Sequence, residues 1–533
     1  MRRHTAFASL AALLFSAGSA IADDTHTVHA SPHQVGQVAF ANSCAPAVQA
    51  DFLRGVAMLH SFWYSAGEQT FRAVLAKDPG CAIATWGIAA ILMQNPLAGI
   101  GALPHGAAQA QAAIEQGRTI GAGTPREHDY IEAVAAYYQD FAARPERARQ
   151  ESRARAFEAL AARYPDDDEA QIFSALYIAG TQSQADQTYA AYARSAAILD
   201  REAAKYPDHP GISHYLIHVY DAPPIATQGL PAARRYAGLA PDAPHALHMP
   251  SHIFTRVGAW EDSVATNGRS FDSALRGNEQ QEAYHASDYL VYAELQLARD
   301  AAARAAMDRA LAVRVPADAG PVVAYPTAAM PARYAAERGD WRAAKQLVPP
   351  AGGLPFTQAL TWYAKALGAA RSGDIAAAEQ AAGELATRQQ ALVAAGNAYW
   401  AKEVEIQQRA AAGWIAFAGK DVEQALVLMR EAADLEDRNE KHIVTPGRIL
   451  PARELLGDML LDAGQSALAL REYEASAQRE PKRFRGLYGA ARAAEAMGQR
   501  DKAVTYYRQL LALAKSADTP RPELARAKAY LAG

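Results

Sequence analysis

Two histidine pairs with HxxxH spacing recur 34 residues apart in this chain: His214 with His218, and His248 with His252. Residues four apart in a helix share one face, so each pair would place two imidazoles side by side. His245 and His285 lie close by in sequence. Histidine is the commonest metal ligand and exchanges protons near neutral pH. The pattern therefore predicts a cluster where any metal or proton chemistry is concentrated.

Helices must position these side chains, because alanine is abundant and β-branched residues are sparse, and alanine costs least to place in a helix. Small, aromatic and proline residues recur at fixed offsets near the C-terminus: Gly457, Gly464, Ala469, Tyr473 and Pro481. The first four of these recur 34 residues later, as Ala491, Gly498, Ala503 and Tyr507. The composition and the period predict an all-α chain built from repeated helical units.

This pattern resembles that of the tetratricopeptide repeat family, strongly at the C-terminus and more loosely over most of residues 50–530. The resemblance implies an all-α, tetratricopeptide-type helix-turn-helix solenoid, a right-handed superhelix of about a dozen helix pairs. Small residues would let the two helices of a pair approach closely, and the aromatic residue would fill the groove between pairs. Proline would end the second helix. Such motifs are specific for the fold and say little about function.

Repeat positions, counted from Pro207 and Pro241 in two units and from Ala303 and Met307 in the third, place the histidines on three consecutive units. His214 and His248 both take position 5, and His218 and His252 both take position 9. Position 2 is taken by His245 and His285, and Asp288 takes position 5 of the third unit. The resemblance implies that these positions line the concave surface, and helices packed about 8–10 Å apart would let the imidazoles reach a common point. Asp221 and Asp288 would act as ligands, or as acceptors that determine which ring nitrogen is available.

Two functions remain open for this surface. The first is binding of a peptide or protein ligand in the concave groove, with His60 and Tyr64 as further groove residues. The second is a metal-binding protein or metalloenzyme that uses the six histidines, since imidazole-rich sites suit zinc, copper, iron or nickel. Some of the histidines would instead be packing residues between helices. The sequence has no HExxH, GxSxG or CxxCH motif, so enzymatic activity is undecided and no catalytic residue is assigned.

The N-terminus has the pattern of a secretory signal peptide. Arg2 and Arg3 precede an apolar stretch, and cleavage is expected after Ala22. No cysteine directly follows the cleavage point, so a lipid anchor is not expected. No later segment has the roughly 18 apolar residues that span a bilayer, so a membrane span is not expected either. We expect a periplasmic or secreted protein. In an oxidising compartment Cys44 and Cys81, the two cysteines of the chain, would form a disulfide.

The chain carries 53 basic and 57 acidic residues, a net charge of −4 that loss of Arg2 and Arg3 would make about −6. Without a basic stripe, nucleic acid is not an expected partner. A protein or peptide is the expected partner, and the oligomeric state is undecided. The expected order is a signal peptide (1–22), a mobile N-terminal segment (23–45), a repeat array with the histidines (46–315), middle repeats (316–435), an inserted loop (436–450) and C-terminal repeats (451–533).

Overall fold

Short helices, each packed against the next along the chain, build the protein. The computed structural model describes residues 34–316, 319–350 and 352–533, and these residues contain no β-strand. The expected signal peptide and the first part of the expected mobile segment, residues 23–33, lie outside the described residues. The described residues from Gln34 onward form one compact unit.

The first half of the array contains short 3₁₀ helices at Pro46–Val48 and Ala226–Gly229 and thirteen α-helices. These α-helices are α1 (Gln49–His60), α2 (Tyr64–Lys77), α3 (Ile83–Leu92), α4 (Pro104–Ile120), α5 (Pro125–Tyr138), α6 (Glu146–Arg163), α7 (Asp168–Ala179), α8 (Ala190–Lys205), α9 (Pro210–Val219), α10 (Leu230–Leu239), α11 (Pro244–His248), α12 (Pro250–Arg256) and α13 (Trp260–Arg276).

The second half continues with thirteen further α-helices among the described residues: α14 (Gln280–Gln296), α15 (Asp300–Leu311), α16 (Pro321–Glu337), α17 (Trp341–Gln346), α18 (Pro355–Arg371), α19 (Ile375–Ala394), α20 (Ala398–Ala418), α21 (Val422–Asp437), α22 (Ala452–Asp462), α23 (Ser466–Arg479), α24 (Phe484–Ala496), α25 (Arg500–Leu513) and α26 (Pro522–Ala532). With α11 and α12 taken as one interrupted helix, α1 to α25 form twelve consecutive pairs. The predicted all-α array of helix pairs is confirmed.

Prolines set the ends of several second helices, as the sequence predicted. The helices α2, α6, α8, α10 and α23 each end two residues before a proline. Proline has no N–H to donate and its ring clashes with the preceding turn, so the helix cannot continue. Pro210 and Pro244 instead occupy the first turn of α9 and α11, where an N–H has no helical partner in any case. The prolines therefore bring the two histidine helices into the same register.

A ring held between two glycines joins consecutive pairs at both ends of the array. Phe71 on α2 lies against Gly55 on α1 and Gly87 on α3. Tyr473 on α23 lies in the same way against Gly457 on α22 and Gly489 on α24. In both cases the residues are 16 positions apart, and a Cβ on the second glycine would overlap the ring. The predicted role of the aromatic residue between pairs is therefore confirmed.

Residues 34–45 run along the N-terminal helices. Val35 and Phe40 are buried, and the Phe40 ring contacts those of Phe52, Trp86 and Tyr130. A disulfide between Cys44 and Cys81 joins this stretch to the loop before α3, with the Cα atoms 4.6 Å apart. Apolar burial and a covalent bond therefore hold residues 34–45, which the sequence assigned to a mobile segment, against the array.

The C-terminal pairs return to contact the middle of the chain. Trp260 Nε1 donates to the carbonyl of Lys482 at 2.8 Å, and the amide of Phe484 donates to Gln296 Oε1 at 3.0 Å. The segment 438–451 between α21 and α22 corresponds to the expected inserted loop. It packs between the C-terminal pairs and the middle of the chain. Its Thr445 carbonyl accepts a hydrogen bond from the Tyr289 hydroxyl at 3.0 Å. This segment therefore lies against the helices that carry the histidines.

Candidate metal centre

Six buried imidazoles meet where the first helices of three consecutive pairs lie side by side. The helices are α9, the interrupted helix α11–α12, and α14. Each of the six side chains is at most 6% exposed. They form two groups whose ligand atoms lie within 4.8 Å of one another: a first triad of His214, His218 and His245, and a second triad of His248, His252 and His285. All six histidines singled out in the sequence are thus brought together.

The HxxxH pairs have the same geometry in both repeats. In each pair, His214 with His218 and His248 with His252, the two Nε2 atoms are 3.1 Å apart. With metal–nitrogen bonds of about 2.0–2.1 Å, that separation corresponds to an angle at the metal of roughly 100°. Each pair therefore offers two ligand atoms at a spacing close to that of tetrahedral coordination.

The hydrogen bonds of the second triad leave two lone pairs facing each other. The Asn267 amide nitrogen donates to the Ser263 carbonyl, so its Oδ1, 2.7 Å from His248 Nδ1, must accept the proton of that ring. His252 Nδ1 donates to Asp221 Oδ2 at 2.9 Å. Both protons are thus on Nδ1, and the two Nε2 lone pairs are directed toward one another. The two lone pairs repel each other, and a cation bound between them would remove this repulsion.

Two rings of the first triad also carry their protons on Nδ1. His214 Nδ1 donates to the His60 carbonyl at 2.6 Å, and His245 Nδ1 donates to Glu282 Oε2 at 3.0 Å. The His245 Nε2 atom is buried without a hydrogen-bond partner among the described residues, and so is His218 Nδ1. Acceptors behind the rings that hold the Nδ1 protons are the usual arrangement around histidine ligands of metals. The residues of both triads therefore fit a metal ion.

A neighbouring cluster of His60, Glu169 and His209 provides an internal comparison. His60 Nε2 and His209 Nε2 donate to the two oxygens of Glu169 at 2.8 and 3.0 Å. The remaining ring nitrogens accept hydrogen bonds, His60 Nδ1 from the Tyr215 hydroxyl and His209 Nδ1 from a backbone amide. Every ring nitrogen is satisfied in this cluster, so it is a closed hydrogen-bonded network and offers no lone pair to a metal.

Burial keeps five of the six imidazoles in the neutral form that binds metals. It lowers the pKa of His252 to about 4 and that of His285 to about 3. Burial also lowers the pKa of His214, His218 and His248 well below its usual value. At neutral pH these rings carry no charge of their own, and no protons compete with a metal for the Nε2 lone pairs.

The two triads are close neighbours. The ring centroids of His218 and His252 are 5.7 Å apart, and those of His245 and His248 are 5.9 Å apart. A ring of a different kind packs on each triad. Phe62 lies 4.4 Å from His214, and Tyr289 lies 4.7 Å from His248 and 4.9 Å from His252. These rings exclude water from the centre.

The inserted segment supplies charge next to the second triad. Lys441 Nζ lies 3.1 Å from Asp221 Oδ2, and Arg256 Nε donates to Asp221 Oδ1 at 2.7 Å. Glu440 pairs with Arg256 at 3.3 Å. Burial would raise the pKa of Asp221, but Lys441 and Arg256 lower it below its usual range. Asp221 is therefore an anion that orients His252, and it is held by Arg256, 35 positions away, and by Lys441, 220 positions away.

The sequence singled out two aspartates as ligands or acceptors, Asp221 and Asp288. Of these two, Asp221 contacts a triad. Asp288 is also buried, but its carboxylate faces Arg333, with Oδ1 3.6 Å away. His60 is enclosed in the network with Glu169, and the Tyr64 ring stacks on Phe62. Neither therefore lines an open groove at this point.

Several contact residues could not be found from the sequence. Asn267 lies on α13, which carries no histidine, and Lys441 lies in a segment without repeat pattern. Phe62 has a backbone φ of 51°, a left-handed conformation that is unusual for a bulky side chain and often occurs at functional sites. Glu282, three residues before His285, has the spacing of a helical neighbour, and that spacing is the one signal that could have identified it.

No protein-family model matches the chain, and no curated protein sequence is significantly similar to it. Among solved structures, it is similar to the crystal structure of the APC/C hetero-tetramer Cut9–Hcn1, with 11% identity, coverage of 90% of this chain and 95% of that chain, and a TM-score of 0.29. It is also similar to the human IFIT1 dimer with m7Gppp-AAAA, with 12% identity, coverage of 81% and 90%, and a TM-score of 0.36.

Within the described ranges, no helix is both long and apolar enough to cross a bilayer. Stacked helix pairs create extended surfaces on which other proteins bind, so the fold is suited in general to protein–protein interaction. The twelve consecutive pairs, the prolines that end their second helices and the rings held between glycines are all features of this chain itself. On these features the chain is a tetratricopeptide-like helical-repeat protein.

Proposed function

We propose that this protein binds transition-metal ions at a buried centre formed by the two histidine triads. The observation that carries the proposal is the hydrogen-bond acceptor beside the Nδ1 atom of four of the six rings. In four rings an acceptor takes the Nδ1 proton, so the Nε2 lone pairs point into the centre. Neutral imidazoles without a carboxylate among the ligands suit copper or zinc best. Three ligands for each ion would leave one coordination position open.

Metal content of the purified chain, measured by mass spectrometry after loading with zinc or copper, tests this proposal. We expect about two ions per chain, one for each triad. The double variants His214→Ala/His218→Ala and His248→Ala/His252→Ala should each lose about half of the metal.

A matched control removes two exposed histidines, His105→Ala/His128→Ala, and should leave the metal content unchanged. If both triad variants retain as much metal as this control does, the centre is not where the metal binds. If the parent chain takes up no metal while it remains folded, the proposal is wrong. Circular dichroism on every variant separates loss of a ligand from loss of the fold.

We propose binding of a protein or peptide as a second function, at a different place. A cleft of about 970 Å³ lies between residues 37–41, the loop before α7 and the loop before α9. Its lining combines the rings of Tyr164 and Tyr206 with charged side chains of both signs, a composition that suits a peptide. A partner recovered with the parent chain should be lost with Tyr206→Ala and retained with Tyr220→Phe, which lies outside the cleft.

We also propose that the chain is exported and acts in the periplasm or outside the cell. The basic start, the apolar stretch and the small residues before Asp23 support this location, and the disulfide suits an oxidising compartment. The mass of the mature protein should correspond to a chain that begins at Asp23. The protein should fractionate with periplasmic or secreted markers. Recovery of the full-length chain in the cytosolic fraction would contradict the proposal.

A further inference from the structure

A second cavity lies beside the proposed centre, where the segments that break the repeat pattern meet. It has a volume of about 500 Å³, within the usual range for sites of small molecules. The loop before α4 contributes residues 97–100, the start of α16 contributes Pro321, Val322 and Tyr325, and the inserted segment contributes His442 and Val444. Binding residues are commonly found on loops held by a rigid scaffold. These three segments meet at this cavity, which we call the aromatic cleft.

Aromatic rings form one wall of the aromatic cleft. Phe356 and Trp400 stack at 4.3 Å with an angle of 10° between their planes. His442 stacks on Trp400 at 5.1 Å and 23°, and Tyr399 packs edge-on against Trp400. Burial lowers the pKa of His442 to about 4, so its ring is a neutral aromatic surface at pH 7. This wall favours flat rings, because stacked and edge-on aromatic contacts add to the burial of apolar area.

The charged groups of the aromatic cleft are already paired within the protein. Arg147 Nε lies 2.6 Å from Glu151, and Glu146 lies 2.7 Å from Arg149. Apart from the His442 ring, the other polar lining side chains are amides and hydroxyls, such as those of Gln150, Ser183 and Tyr399. These groups form hydrogen bonds without requiring charge on the ligand. The composition therefore favours a neutral ligand that carries one or a few hydrogen-bonding groups.

One segment separates the aromatic cleft from the histidine centre. Residues 441–445 alternate between the two sides: Lys441 and Thr445 contact residues around the second triad, while His442 and Val444 line the cleft. Their burial alternates in the same way, with 441, 443 and 445 buried and 442 and 444 partly exposed. A molecule in the cleft would therefore lie one layer of chain away from the centre.

We infer that the aromatic cleft is a binding site for a small, neutral aromatic molecule, held against the ring wall of Phe356, Trp400 and His442. The site is independent of the metal, since its lining residues are not the proposed ligands. It gives the protein a place for an organic ligand next to the histidine centre.

Titration of the full chain with 2-naphthol, followed by the fluorescence of the probe, tests the inference. We expect saturable binding at one site. Decahydro-2-naphthol, which keeps the size, the hydroxyl and the two fused rings but is not aromatic, should displace the fluorescent probe much more weakly than an unlabelled aromatic competitor does. Ile100 is 43% exposed at the edge of the cleft, so Ile100→Glu should fold normally and weaken binding roughly tenfold by placing a charge there. Val348→Glu is the matched control at a residue 84% exposed elsewhere, and it should bind as the parent does.

Trp400→Leu provides a second test of the ring wall and should also weaken binding, whereas Trp362→Leu, on α18 outside the cleft, should not. Equal binding of the aromatic and the saturated probe would overturn the assignment of the ligand class. Unchanged binding in both Ile100→Glu and Trp400→Leu would overturn the assignment of the site. The same titration on His248→Ala/His252→Ala separates the two proposals, because binding should persist there even when the metal is lost.

Discussion

At the scale of single residues, the decisive feature of the centre is where each imidazole carries its proton. A histidine with both nitrogens satisfied, such as His60, is a structural residue even when another histidine and a carboxylate surround it. His248 and His252 differ because their Nδ1 protons are held from behind by Asn267 and Asp221. The acceptors behind the rings therefore distinguish a ligand from a packing residue, although the residue type is the same.

Asn267→Ala should weaken metal binding by the second triad roughly 10–100-fold, because His248 would lose the acceptor that orients its ring. Glu282→Ala should have the same effect on the first triad through His245. Competition with a chromophoric chelator would measure both affinities. Each variant should leave the tight binding of the other triad intact. A uniform loss at both triads would indicate a general change of structure instead.

The stability of the metal-free protein should fall as the pH is lowered from 6.5 toward 5. Burial lowers the folded-state pKa of His252 to about 4 and of His285 to about 3, so the unfolded chain binds more protons than the folded chain in this range. Each such histidine lowers the free energy of unfolding by up to about 1.4 kcal/mol per pH unit. The thermal midpoint should drop accordingly, and less steeply in His248→Ala/His252→Ala. A midpoint independent of pH would contradict burial of neutral rings.

At the scale of helices, small residues and prolines determine how the histidines are presented. Pro250 interrupts the helix between His248 and His252, yet the Nε2 separation there equals that in the continuous helix α9. The repeat register is therefore retained through a break in hydrogen bonding. Packing between neighbouring helix pairs also keeps the repeats in register. A ring such as that of Tyr473 fits between two pairs only where glycine leaves room for it.

Gly489→Ala should destabilise the protein by about 1–3 kcal/mol, because the added methyl group would overlap the buried ring of Tyr473. Gly383→Ala is the matched control. That glycine also lies inside a helix, but no atom lies within 4 Å of the position of its Cβ. The control should be neutral or stabilising, since alanine favours a helix over glycine by up to about 1 kcal/mol. Urea denaturation of both variants compares the two effects directly.

At the scale of the whole molecule, the return of the C-terminal pairs encloses the inserted segment. Asp300 on α15 is buried and pairs with Arg521 just before α26 and with Arg338 at 3.2 Å. Arg483 pairs with Glu337 and Glu454, both at 2.7 Å. These buried ion pairs join parts of the chain that are far apart in sequence. We expect them to keep the C-terminal pairs in place over residues 438–451.

Asp300→Ala should destabilise the protein by roughly 3–5 kcal/mol, because it leaves the buried guanidinium of Arg521 without its partner. Asp308→Ala on the same helix breaks an exposed pair with Arg304 and should change stability by less than about 0.5 kcal/mol. Thermal unfolding gives the difference. We also expect faster proteolysis near residues 438–451 in Asp300→Ala. Equal midpoints for the two variants would show that the contact does not hold the C-terminal pairs.

Much of the fold was predictable from the sequence because it depends on local rules. Proline ends helices, glycine admits a neighbouring ring, and a 34-residue period puts His214 and His248 on equivalent turns. These rules act within one or two helix pairs, so they can be read without knowing the rest of the structure. The disulfide between Cys44 and Cys81 was also predicted, since the chain offers no other cysteine.

By itself, the sequence determined the helical array and the meeting of six histidines on three consecutive helices. The tertiary structure decided that the histidines form two triads and which of their nitrogens are available. It also decided that the chain's own segment 438–451 packs against this surface. The physical reason is that Asn267, Lys441 and Arg256 act through contacts across space, which no periodic pattern records. The repeat determines the position of a residue on its helix, and long-range packing determines what the side chain of that residue can bind.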